Sequence, residues 1–130
     1  MNRNGKYLIG EQLAEILNDY DEAVHKMAEK IIFQTSKEAV QRLRSTSPRR
    51  PGGGDYARGW RVKRDKKLGV IIHNATDYQL THLLENGHVI RNARGTYGRT
   101  NGIKHIEPVE QWGNEELVNR IEAEIAKGLI

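Results

Sequence analysis

Asn74-Ala75-Thr76-Asp77-Tyr78-Gln79-Leu80-Thr81-His82-Leu83-Leu84-Glu85-Asn86-Gly87-His88, answered further on by Lys104-His105-Ile106-Glu107-Pro108, is the stretch on which the fold turns. Thr76-x-x-Gln79 is a capping-box pattern, in which a hydroxyl and a carboxamide satisfy the free N–H groups of a helix start. It predicts a short helix that buries Leu80, Leu83 and Leu84. Gly87 stands where a left-handed residue ends a helix, and Pro108 suits the first residue of another, because its missing N–H is free there anyway. After Pro108 the apolar residues Val109, Trp112, Leu117, Ile121 and Ile125 predict a final helix with those side chains inward, ended by Gly128.

Upstream of this core, Ala57–Arg64 and Gly69–His73 read as two strands joined by the charged turn Asp65-Lys66-Lys67-Leu68. Trp60 and Val62 alternate with Arg61 and Lys63, the mark of a half-buried strand. Val70-Ile71-Ile72 is β-branched throughout and reads as the central strand. A third short strand is expected at Ile103–Ile106, returning to the sheet. Arg49–Tyr56, with three consecutive glycines, and Arg91–Gly102 read as exposed, turn-rich loops.

Residues 10–46 carry a helical stripe of Leu13, Ile16, Tyr20, Val24, Met27, Ile31 and Ala39, with no proline or internal glycine. The reading favoured is one long, bent helix, with a break at Asn18-Asp19 as the alternative. Unbroken, about 35 residues at ~1.5 Å each would span ~50 Å, more than a small domain is wide. Pro48 ends it, since the residue before a proline is pushed out of the α region. The expected fold is α+β: a long N-terminal helix and a C-terminal helix packed on a short antiparallel sheet, with one short helix between strands. A chain of 130 residues is expected to form a single domain.

Its hydrophobic share of 37% excludes the 13 glycines, and counting them brings the chain near the globular norm. No apolar run long enough for a membrane span and no signal-peptide core is present, which predicts a soluble, non-exported chain without membrane contact. The absence of cysteine rules out disulfides and thiolate zinc, and fits a reducing cytoplasm.

The net charge of +4 is strongly partitioned. Residues 42–68 hold ten Lys/Arg against Asp55 and Asp65, a net of +8. Residues 88–106 hold four cations and no acid, and residues 107–130 hold six Glu against Arg120 and Lys127. Opposed patches of this kind suit a polyanion or a head-to-tail contact between copies.

No constellation of residues carries chemistry. His82-x-x-Glu85 puts two potential ligands on one helix face, with His73 and His88 nearby, short of the three or four converging ligands a metal needs. The simpler reading is that His82 and Glu85 satisfy polar groups at the sheet edge or a subunit contact. Gly52-Gly53-Gly54 lacks the Lys-Ser/Thr that follows a phosphate-binding loop. No serine is paired with a base in a recognisable motif. Neither enzymatic activity nor a cofactor is expected. The basic residues around Tyr56 and Trp60 also fit a DNA- or RNA-binding module built on residues 49–67.

The Tyr78…Leu84-Glu85-x-Gly87-His88 segment, the basic glycine-bearing loop after it and His105-Ile106-x-Pro108 together resemble the head–tail joining, or tail-completion, proteins of long-tailed bacteriophages. Ser47-Pro48, the glycine turn and the strand bearing Trp60 agree. The resemblance covers residues 40–125, with one departure: Val109 stands where those proteins commonly have Ala or Thr. It implies a structural neck protein of the virion, assembled in the host cytoplasm as a homo-oligomeric, six-membered ring. Its partners would be other neck, tail and connector proteins, and DNA would pass through without specific binding. The interaction residues expected are Arg49, Arg50, Arg58, Arg61, Lys63, Arg64, Arg91, Arg94 and Arg99, with the long helix and the two loops as contacts.

Overall fold

Asp21 divides the N-terminal helical stretch. Its carboxylate accepts the Val24 N–H at 3.0 Å and caps a new helix. The computed structural model of the chain describes residues 2–3, 5–49, 53–66 and 69–128. In it α1 spans Leu13–Leu17 and α2 spans Glu22–Thr46. The single long helix is therefore corrected to two, parted at Asn18-Asp19-Tyr20, where Tyr20 donates its N–H to the Leu17 carbonyl. The predicted stripe is interrupted at the break, where Ile16 and Tyr20 are 62% and 54% exposed, but Val24 and Ala39 join the core and Leu13, Met27 and Ile31 pack against it.

The remaining elements are β1 (Asn2–Arg3), β2 (Lys6–Tyr7), α3 (Asp55–Arg58), β3 (Trp60–Asp65), β4 (Gly69–Asn74), α4 (Thr81–Asn86), β5 (Val89–Asn92), β6 (Gly95–Arg99) and α5 (Ile106–Ala126). A 3₁₀ turn, Tyr78–Leu80, precedes α4. The sheet is antiparallel with strand order β1-β2-β4-β3, so β4 is central as its Val-Ile-Ile run predicts. The third strand expected at Ile103–Ile106 does not form. Lys6–Tyr7 pairs with Ile72 and His73 in its place. Ile106 instead opens α5, and Gly128, at φ 71°, follows its end.

Cross-strand register sorts the side chains. Trp60 lies opposite Asn74 and Val62 opposite Ile72, and Tyr7 flanks Ile72 on the other side, so these share one face. The long helix α2 covers that face, with Val40 and Leu43 buried in the same core as Trp60. Trp60 is fully buried, its indole N–H donates to Ser47 Oγ at 2.8 Å, and Tyr7 and Tyr56 pack edge-on at 6.0 and 5.7 Å. Arg44 of α2 donates to the Trp60 carbonyl at 2.8 Å, tying helix to strand.

α2 also packs on α5, where Thr35 of α2 is fully buried and faces Arg120 of α5. Gly113 of α5 faces Ile9 of the N-terminal segment: a Cβ there would sit 2.3 Å from Ile9 Cδ1 and 3.1 Å from its Cγ1, so the buried isoleucine would have to shift. Arg120 bridges the two helices, reaching Glu38 at 3.0 Å and Thr35 at 3.1 Å. Ile125, expected inward, is 51% exposed, and Trp112 is only half buried beneath the Arg42 guanidinium, 3.9 Å from its ring. Among the described residues no helix is long and apolar enough to cross a membrane.

Candidate assembly surface

The capping box expected at Thr76 is replaced by an asparagine device. Asn74 Oδ1 accepts the N–H groups of Thr76 and Asp77 at 3.2 and 2.9 Å, while its amide donates to the Tyr56 carbonyl at 2.7 Å. The buried asparagine so turns the chain out of β4 and into α4. Leu83 and Leu84 are half buried and Leu80 is 38% exposed, less covered than the leucine cluster predicts.

What α4 contributes to the interior is Glu85. Its carboxylate accepts the N–H groups of His105 and Ile106 at 2.8 Å and of Glu107 at 2.9 Å, the free donors at the start of α5. His105 Nδ1 lies 2.7 Å from the Ile103 carbonyl and 2.9 Å from Glu85 Oε1, so that nitrogen carries the proton. Its Nε2 then accepts from the Tyr56 hydroxyl at 2.7 Å. Burial works to raise the Glu85 pKa, but the three backbone donors and His105 outweigh it and hold the group below its ordinary value of 4.5. Burial raises Tyr56 well above the usual phenol range. Glu85 thus pins α5 onto α4, its first partner standing 20 positions along the chain.

Between those pins the chain leaves the body. Where the sequence suggests a loop at Arg91–Gly102, β5 and β6 pair as an antiparallel hairpin with Val89 opposite Arg99 and Asn92 opposite Gly95. Asn92 Oδ1 accepts the Arg94 N–H at 2.8 Å within the two-residue turn, and Gly95 takes φ 139°. The base is tight. Thr100 donates to the His88 carbonyl and Ile103 to the Leu84 carbonyl, both at 2.8 Å. A Cβ at Gly87 would stand 2.3 Å from the Thr100 carbonyl, and one at Gly102 would stand 2.4 Å from that of Glu85. Beyond the base, every residue from 88 to 99 is exposed, Tyr97 by 57%. The hairpin is rigidly held at its root and uncovered along its length.

Of the basic residues expected to make contacts, the hairpin gathers three. Arg91 lies on β5, Arg94 in the turn and Arg99 on β6, where it donates to the Asn86 carbonyl at 3.1 Å. The basic segment before it disperses. Arg61 and Lys63 point from β3 to the sheet face opposite Trp60. There Arg61 and Lys6 flank His73 in register, and Arg61 also donates to the Trp60 carbonyl at 2.9 Å. Burial first, and then Lys63, Lys6 and Arg61, lower the His73 pKa. Arg64 takes the inner face, its guanidinium 4.1 Å from the Phe33 ring. Arg58 is paired with Asp55 at 2.6 Å, and Arg49 donates to the Arg44 carbonyl at 2.7 Å. Arg50 lies outside the described residues, as does part of the glycine loop. That loop is also shorter than expected, because Asp55–Arg58 is helical and Tyr56 is buried. Among the described residues, the cations of this segment therefore contribute to several places on the molecule instead of one basic face.

The histidines are likewise apart: His82 and His88 are exposed, His73 belongs to the sheet face and Glu85 is engaged with α5. Among the described residues no group of three or more metal-ligand side chains converges. The hairpin and the Glu85 anchor escaped the sequence reading. The hairpin did leave a signal, an Asn92-x-x-Gly95 turn between Val89-Ile90 and Thr96-Tyr97.

Comparison with known families gives a match over most of the helical and sheet body. Residues 11–87, more than half of the chain, fit the model of the HK97-gp10-like family, described as "Bacteriophage HK97-gp10, putative tail-component". The match runs from just before α1 to Gly87 at the hairpin root. No curated protein and no solved structure matches the chain.

Proposed function

We propose that this chain, which belongs to the HK97-gp10-like family of phage tail components, is a structural protein of the phage neck that completes the tail or joins it to the capsid connector. It acts by assembling into a ring with copies of itself and by contacting the neck, tail and connector proteins above and below. It carries no reaction of its own, assembles in the host cytoplasm and lets DNA pass without reading its sequence.

One observation carries this reading beyond the family: a hairpin anchored at its root and exposed on all sides. A two-stranded ribbon is marginally stable in water, so a protein that builds one this firmly gains from a surface that covers it. The dispersal of the basic segment argues in the same direction, because a nucleic-acid channel needs its cations on one continuous face.

The test is a phage deleted for this gene. Separate filled heads and tails are expected, joined again on complementation with the wild-type chain. Joined, infectious particles in the deletion strain would refute a neck role.

A further inference from the structure

The outer flank of α5 is the chemical complement of the hairpin. Glu107, Gln111, Glu115, Val118, Glu122 and Ile125 recur at spacings of three and four residues, so they share one side of the helix. All six are exposed, Val118 by 49% and Ile125 by 51%. Arg120 turns the other way to Glu38, and Lys127 pairs with Glu124 at 3.1 Å. Glu107 has Lys104 at 3.9 Å, whereas neither Glu115 nor Glu122 has a cationic partner among the described residues. The flank thus carries three carboxylates and two bare aliphatic side chains.

The hairpin carries the reverse: Arg91, Arg94 and Arg99 without an acid, beside the exposed Val89, Ile90 and Tyr97. Lengths agree as well. A five-residue strand reaches about 17 Å, and the part of the flank from Glu115 to Ile125 runs about 15 Å.

We infer that β5–β6 of one copy lies along the Glu107–Ile125 flank of α5 in the next copy, its arginines against Glu115 and Glu122 and its apolar residues against Val118 and Ile125. The two patches differ, so the contact is head-to-tail, and repetition closes it into a ring if the rotation permits. The inference rests on the ring assembly proposed above and names the surface by which it forms.

The chain has no cysteine, so introduced thiols report without interference. Tyr97→Cys and Val118→Cys are prepared singly and together, with circular dichroism to confirm folding. Native mass spectrometry of the wild type counts copies. On oxidation, each single variant alone should stay uncross-linked, their mixture should give a dimer, and the double variant should give a ladder. Arg91→Glu with Arg94→Glu should weaken association about tenfold or more, because carboxylates then face carboxylates, and Glu115→Arg with Glu122→Arg in the neighbour should restore it. If the wild type forms a ring but the mixture does not cross-link and the Arg91/Arg94 variant keeps its copy number, the contact is wrong and the ring stands. If the wild type is a single copy both in solution and in tails purified from phage, the ring and the contact fall together.

Discussion

Replacing Glu85 by Gln removes charge from the pin between α4 and α5 while preserving its shape. The carboxylate holds three backbone N–H groups at 2.8 to 2.9 Å and faces His105 Nδ1 as well. A carboxamide offers one acceptor oxygen and turns its NH₂ toward N–H donors, so at least one buried donor loses its partner. A hydrogen bond to a charged group is worth about 1.5–3 kcal/mol, and a buried donor left unpaired costs a similar amount. The expected loss is about 2–4 kcal/mol, or roughly 10 °C in melting temperature for a chain of this size. Glu85→Ala, which leaves all the donors open, should cost at least as much. Acidification supplies an independent check. The folded-state pKa is lowered, so this stabilisation is complete above the ordinary 4.5 and is lost as pH falls through the folded value. The gap between wild type and Glu85→Gln, measured by thermal denaturation followed by circular dichroism, should therefore close in acid. A variant within half a kilocalorie of wild type at neutral pH, or a gap unchanged on acidification, would refute the anchor.

Other consequences are as definite. Gly113→Ala should destabilise by about 1–2 kcal/mol in urea unfolding: the gain in helix propensity, about 1 kcal/mol, is outweighed by overpacking against buried Ile9, and a stabilised variant would show that this approach is loose. Trp60→Ala should cost about 3–5 kcal/mol and Ser47→Ala about 1–3 kcal/mol, the latter because the buried indole N–H loses its acceptor; wild-type melting in either would contradict the core assignment. His73 has a lowered pKa, so its contribution is present above 6.5 and fades as pH drops through the folded value. His73→Gln should flatten the pH dependence of stability over that window, and an unchanged slope would mean that neither its burial nor the three cations around it hold its pKa down.

The sequence was readable where periodicity was long or chemistry local. Trp60 and Val62 facing in, Arg61 and Lys63 facing out, a central Val70-Ile71-Ile72 strand and a last helix closed by Gly128 all follow from alternation or capping. Of the two readings of the N-terminal stretch, the break holds, because Asp21 caps a fresh helix where the apolar stripe would continue the old one. The strand at Lys6–Tyr7 is too short for any period. The hairpin has no buried face, so its residues carry no alternation of polarity to detect. Glu85 depends on a partner twenty residues away, and only tertiary structure brings α5 to it. Of the basic residues, sequence proximity grouped Arg58, Arg61 and Arg64, whereas strand pleating and the Phe33 ring separate them.

Electron cryomicroscopy of assembled virions addresses the central claim most directly. Density for this chain should form a ring at the junction of capsid and tail, with residues 88–99 covered by a neighbouring copy. Density placed elsewhere in the particle, or a hairpin still bare to solvent after assembly, would contradict it.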